Sequence, residues 1–328
     1  MRDPGDNDFM RRGVFGISTT TGFLVALSVL ITVFPAFTVI SVKFEYWMHV
    51  IIVGVYYLIL AQSWNLISGY AGQFSLAQPA LSAIGAYTVG LLGKHLGVPG
   101  PFGIVLGICA GALASFAIGI ISLRLGKLYF ALTTFGLMLV LNWLLVVPYW
   151  ITGGSTGLVV ESLFPAELIR PRFGYYYLFM LLFLVTMIII YKLVHSQIGQ
   201  YLTSIREDEN AAQMLGVKTV KWKVFAFTIS GAIAGLAGGV YSGYAYFITP
   251  EMTRMAPLVK MMSMAIFGGI GTFWGPLIGG SILHFFSQYT RQLGEFDLIV
   301  YALVMIFTMR FNKRGLYPYL KNLLRKPH

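Results

Sequence analysis

Two polar stretches hold most of the residues in this chain that could do chemistry. The first, residues 199–217, groups Arg206, Glu207, Asp208 and Glu209 ahead of Asn210-Ala-Ala-Gln-Met-Leu215. Acids followed by good helix formers predict one short helix with negative charge at its positive N-terminal end, which Gly216 is placed to stop. Ala211, Ala212 and Leu215 recur at helical spacing, a small smooth face of the kind a partner's groove accepts. The stretch reads as a docking element or as a solvated loop. The second stretch, residues 64–79, carries Asn65, Ser68, Gln73, Ser75 and Gln78, amides and hydroxyls that hydrocarbon penalises, with Gly69, Gly72 and Pro79 to break regular helix. Irregular backbone at membrane depth is tolerated where it is buried in protein or lines a wet cavity. This stretch reads as a pathway wall or as a plain cytoplasmic turn, and Thr133 and Thr134 join it as candidate cavity hydroxyls.

Other chemistry is missing. No Gly-x-x-x-x-Gly-Lys-Ser/Thr phosphate loop occurs, so the chain is not expected to hydrolyse ATP or to act as an enzyme. His49, His95, His195, His284 and His328 have no companion at metal-ligand spacing, and no metal site is expected. His284 alone lies well inside an apolar run, where a hydrogen-bonded core histidine is the ordinary reading. All 12 acidic residues fall in loops or at the edges of apolar runs. A proton-coupled carrier needs an ionisable group within the membrane, so the acid inventory argues against proton coupling. Cys109 is the single cysteine, which excludes an intrachain disulfide.

The elements that must position these residues are apolar. With 57% hydrophobic and 11% charged residues and a mean hydropathy of +0.76, the chain reads as a polytopic membrane protein. Apolar runs fall near 17–41, 47–67, 74–93, 101–123, 128–149, 174–194, 222–247, 257–272, 275–290 and 296–310, two of them short. This gives an all-α bundle of about ten spans over residues 17–310, a cytoplasmic tail at 1–16 and a basic cytoplasmic tail at 311–328. Arg11 and Arg12 before the first run resemble a signal peptide's start, but the run is too long and lacks a small-x-small site, so a retained helix is expected.

The net charge of +11 reads as topology and not as a nucleic-acid surface, because the basic residues cluster at the ends of apolar runs. With the N-terminus inside, sixteen of the 23 Lys and Arg fall on the cytoplasmic side, residues 199–217 included. Five spans on each side of that loop allow an inverted repeat. Gly103, Gly107, Gly111, Ser115 and Gly119 in one run, and Gly231, Gly235, Gly239 and Gly243 in another, give a small residue at every fourth position, the pattern that lets helix backbones approach in lipid. Residues 267–276 separate the two short runs and could let half-helices meet inside the membrane. The long outer segment, residues 148–172, reads as a docking surface for a soluble partner or as a solvated cap.

Several motifs in order along the chain resemble the permease subunits of branched-chain amino acid ABC importers, the LivM type above all. They are Ser68-Gly-Tyr-Ala-Gly-Gln-Phe-Ser-Leu-Ala-Gln78, Gly85-Ala-Tyr-Thr88, Leu123-Arg-Leu-Gly-Lys-Leu-Tyr-Phe-Ala-Leu-Thr-Thr-Phe-Gly136 and Thr152-Gly-Gly-Ser-Thr-Gly-Leu158, followed by Ser204-Ile-Arg-Glu-Asp-Glu-Asn-Ala-Ala-Gln-Met-Leu-Gly216, Gly235-Leu-Ala-Gly-Gly-Val-Tyr241, Gly268-Gly-Ile-Gly-Thr-Phe-Trp-Gly-Pro276 and Arg314-Gly-Leu316. The resemblance implies a multi-pass permease of the bacterial inner membrane. It would be paired with a homologous second permease, two cytoplasmic ATPase subunits that bind ATP and Mg, and a periplasmic substrate-binding protein, with no cofactor in this chain. In such importers a cytoplasmic helix with Ala-Ala followed by Gly inserts into an ATPase groove, which maps to Ala211, Ala212 and Gly216. The family often has Glu before the alanines where this chain has Asn210, with Glu207, Asp208 and Glu209 upstream. The implied solutes are leucine, isoleucine and valine, with urea, amides or aromatic and other carboxylates as the alternative. An ion-coupled carrier working alone and a passive solute channel are the rival classes.

Overall fold

The computed structural model describes residues 42–164, 171–290, 296–311, 315–317 and 319, among which twelve α-helices account for almost all regular structure. The expected first span at 17–41, the N-terminal tail and most of the C-terminal tail lie outside the described residues. Helix α1 (Val42–Trp64) continues as a π-helical turn over Asn65–Tyr70, and an irregular stretch then leads to α2 (Gln78–Leu96), which opens on Pro79. Proline suits that first turn because its missing N–H has no partner there in any case. Helices α3 (Gly100–Ser122) and α4 (Lys127–Val146) follow, then a short α5 (Tyr149–Thr152) and β1 (Leu158–Val159).

Helix α6 (Pro171–Val194) leads to a pair of short helices, α7 (Gln197–Glu207) and α8 (Glu209–Met214). Helix α9 (Thr219–Ala245) returns through the bundle to β2 (Phe247–Ile248), which pairs antiparallel with β1, Leu158 opposite Ile248. Helices α10 (Met255–Gly268) and α11 (Gly275–Thr290) form a tight antiparallel hairpin, and α12 (Phe296–Phe311) packs on α10.

Helix α9 is the centre, packed mainly on α2 and α3. Small residues make that approach possible. A Cβ at Gly111 would sit 2.5 Å from the Gly231 carbonyl oxygen, and one at Gly235 would sit 2.6 Å from that of Gly107. A Cβ at Gly85 of α2 would meet the Gly235 carbonyl, and one at Gly239 would come within 3.1 Å of Val89 Cγ2. Gly103 lies on the same buried face of α3, against Val89. Backbones this close gain dispersion contacts that lipid tails cannot match in geometry.

Loops gather at two ends. One holds residues 96–100, 146–160 and 246–255, joined by the β1–β2 pair and by Asn142 Nδ2 donating to Pro250 O and Thr253 Oγ1 at 3.0 and 2.8 Å. The other holds the π-turn, α7, α8, the α10–α11 loop and Gly315, whose Cβ would meet the Gly269 backbone. Five described helices are long and apolar enough to cross a bilayer, fewer than the ten runs read from sequence. Besides the undescribed first run, α2 is diluted by Gln78, Ser82, Lys94 and His95, α10 has only 14 residues, and α11 and α12 are described over 16 residues each. At 1.5 Å per residue α10 spans roughly 21 Å, short of a ~30 Å hydrocarbon core.

Candidate coupling site

The polar residues of the two stretches meet at one end of the bundle. Asn65, wholly buried, holds the α10–α11 loop with both ends of its amide: Nδ2 donates to Thr272 O at 2.9 Å and Oδ1 accepts from Gly271 N at 2.8 Å. Gln62, one turn earlier, donates to Phe273 O at 2.9 Å. Arg206, in the last turn of α7, donates from Nη1 to Gly69 O at 2.9 Å. Its chain runs between two glycines in left-handed geometry, Gly72 at φ 67° and Gly271 at φ 73°. A Cβ at Gly72 would lie 2.7 Å from Arg206 Cγ, and one at Gly271 would meet Nη1. Only glycine combines that backbone with that clearance.

The irregular stretch after the π-turn is bonded on every side. Ser68 Oγ donates to Gln73 O and accepts from Ser75 N at 3.1 and 3.2 Å, and Trp64 Nε1 donates to Ser75 O at 2.7 Å. Ser75 Oγ donates to Gln78 Oε1, and Gln78 Nε2 donates to Ser230 Oγ on α9, at 3.0 and 2.9 Å. Thr134 of α4 accepts from Leu76 N at 3.1 Å, whereas Thr133 is exposed and donates to Tyr129 O. Gln73 is fully buried, and its Oε1 has no partner among the described residues.

Residues 199–217 form two helices where one was expected. Ser196 Oγ caps α7 by accepting from Ile198 N, and Asp208 Oδ1 accepts from both Asn210 N and Ala211 N to start α8. Asp208 is extended, at φ −149°, because its carboxylate takes N–H groups that a continuous helix would have turned to the backbone. Glu207 is exposed, and Gly216 follows α8 at φ 83°. Ala211, Ala212 and Leu215 do not share one open face: Ala212 is only 2% accessible, packed on its own chain, while Ala211 is exposed and Leu215 is 84% accessible. Met214, at 90%, completes an apolar tip with Leu215.

Helix α8 has its own anchor. Lys223 of α9 is 1% accessible, and its Nζ donates to Leu123 O at 3.0 Å and to Glu209 Oε1 at 2.5 Å. Gln213 Nε2 adds a bond to Thr219 Oγ1 at 2.9 Å, and Tyr201 of α7 stacks on Trp222 with centroids 5.3 Å apart. Neither Lys223 nor Leu123 was among the candidate site residues; a lysine at the second position of the apolar run at 222–247 was the available signal. His284 is buried, with Nε2 bonded to Val50 O at 2.8 Å. No group of three His, Cys, Asp or Glu able to hold a metal occurs among the described residues.

Residues 46–309 match the family model described as the branched-chain amino acid transport system permease component. The chain belongs to that family. The permease is 28% identical over 287 residues to the high-affinity branched-chain amino acid transport system permease protein LivM of Escherichia coli, covering 80% of this chain and 68% of that one. It is also 25% identical over 244 residues to the fructose import permease protein FrcC of Rhizobium meliloti, covering 70% and 66%. A shorter likeness, 30% over 125 residues, covers 35% of the permease and 38% of the ribose import permease protein RbsC of Haemophilus influenzae. No solved structure matches the permease.

Proposed function

We propose that this chain is the membrane-spanning permease subunit of an ATP-driven importer that moves a small polar or zwitterionic solute inward by alternating access, with leucine, isoleucine or valine as the default solute. The observation that carries the reading is the α7–α8 pair, which stands at the bundle end where the broken segments meet and presents the exposed side chains of Met214 and Leu215. An apolar tip beside charged residues suits the groove of a cytoplasmic ATPase subunit. Two such subunits would bind ATP and Mg, a homologous second permease would complete the pathway, and a periplasmic binding protein would deliver the solute. The excess of Lys and Arg at this end supports an inner-membrane protein with both termini cytoplasmic.

The segment around Gly69, Gly72, Gln73, Ser75 and Gln78 forms part of the pathway wall on this reading, with Asn65 and Thr134 holding it and Thr133 facing outward. Gln73 is the side chain we place nearest the solute, since its buried acceptor has no partner among the described residues. About ten spans in two inverted halves of five remain part of the proposal.

The test is uptake of labelled leucine, an aromatic acid, urea, fructose and ribose by host cells with and without this chain, before and after ATP depletion. The sugars belong in the panel because the chain is similar to relatives named for fructose and ribose import. The expected result is loss of one ATP-dependent uptake, that of leucine, on deletion. Uptake driven by an ion gradient in liposomes holding this chain alone would overturn the reading in favour of a secondary carrier. Downhill flux indifferent to ATP would overturn it in favour of a channel.

A further inference from the structure

The cytoplasmic helix pair is tied to the bundle at two places that belong to different packing groups. Helix α8 is joined through Glu209 and Lys223 to α9 and the end of α3, the helices whose glycine backbones interlock. Helix α7 is joined through Arg206 to Gly69, at the π-turn that Asn65 couples to Gly271 and Thr272 of the α10–α11 loop. Between the two ties stands one extended residue, Asp208.

We infer that Arg206 is a positioning residue through which the α7–α8 pair sets the conformation of both broken segments, acting at Gly69 directly and at Gly271 through Asn65. Three features on different elements converge on this. Arg206 donates to the Gly69 carbonyl within the π-turn, where the regular α-helical ladder is interrupted. Two glycines in left-handed geometry, 199 residues apart in sequence, make room for one side chain. Asn65 then spends its whole amide on joining the two segments that Arg206 touches. A push on the α8 tip loads α9 through Glu209 and Lys223 and reaches the broken segments only through Asp208, α7 and Arg206, so those segments can shift relative to the glycine-packed core. Interlocked backbones of the α3–α9 kind do not deform gradually, which leaves the irregular segments as the compliant part.

The inference rests on the permease reading for its purpose, so its test is built to separate the two. The first measurement is hydrogen exchange on the full chain in nanodiscs, comparing Arg206→Gln with the unmodified protein. Expected is faster exchange, by about tenfold, at residues 69–77 and 269–272, with residues 231–239 unchanged. Equal exchange at both segments overturns the inference whatever the chain transports. The second measurement is solute taken up per ATP hydrolysed by the reconstituted transporter with its permease, ATPase and binding-protein partners. Arg206→Gln should lower that ratio by about tenfold, and Arg206→Lys, which keeps one charged donor, should restore part of it.

A ratio unchanged in an assembled Arg206→Gln complex overturns the inference. Where Arg206→Gln does not assemble, Arg206→Lys decides: a lowered ratio supports the positioning role, and a ratio equal to the unmodified complex reduces Arg206 to a structural charge. Where the unmodified assembly shows no ATP-driven uptake, the permease reading has failed, and exchange at the two segments alone decides whether the tether stands.

Discussion

Met214 and Leu215 carry the docking proposal, and their exposure sets its simplest test. Leu215→Asp should abolish co-purification with the ATPase subunits while leaving the chain's unfolding midpoint in detergent within the small range of exposed substitutions, ~0.5 kcal/mol. Binding that survives the substitution would move the docking surface elsewhere. Ala212→Trp tests something else, because Ala212 is packed inside its own chain. Lys223→Met leaves Glu209 without its cation and should destabilise the chain by about 3 kcal/mol, read from the same unfolding assay. Adding Glu209→Gln to it should then cost little more, since the two groups act as one unit. The polar residues themselves were legible in the sequence: their types announced segments that hydrocarbon would reject. Their partners were not, since Arg206 and Gly69 lie 137 residues apart and Asn65 and Thr272 lie 207 apart, both far beyond any local periodicity.

Helix existence followed from apolar run length, yet which face of each helix turns inward did not follow from amphipathicity. Lipid is as apolar as the bundle core, so Phe102, Leu106, Leu113 and Phe116 of α3 all lie on its exposed face, and its inner face is marked instead by Gly103, Gly107, Gly111 and Ser115. Gly111→Leu should therefore force α3 from α9, lowering stability by about 1–3 kcal/mol in a detergent unfolding assay. Gly136→Leu on α4, where nothing lies within 4 Å of an added Cβ, is the matched control and should be neutral in the isolated chain. An equal loss in both would remove the close-packing account. The division of residues 199–217 into α7 and α8 was not legible in the sequence because Asp208, read only as negative charge at a helix N-terminal end, acts as the cap that starts α8. Capping and first-turn roles favour the same residue types, so composition alone does not separate them.

The molecule as a whole has two loop-bearing ends, and the proposed orientation assigns the α7–α8 end to the cytoplasm. Its check uses the single cysteine: in a Cys109→Ser background, Trp150→Cys should react with an impermeant maleimide in intact cells, whereas Leu215→Cys should react only after permeabilisation. The reverse pattern would invert the orientation and remove the ATPase reading with it. The burial of Lys223 and the partial burial of Arg206 have a further consequence for biosynthesis. Before folding, both cations are free to be counted by the insertion machinery that retains positively charged loops; after folding, both are consumed as internal ties. The same two side chains thus serve successively as an address during insertion and as fasteners in the finished protein. A variant that neutralises both should show misoriented chains in a topology reporter, and new lysines placed on the exposed surface of residues 207–221 should restore orientation without restoring the fold.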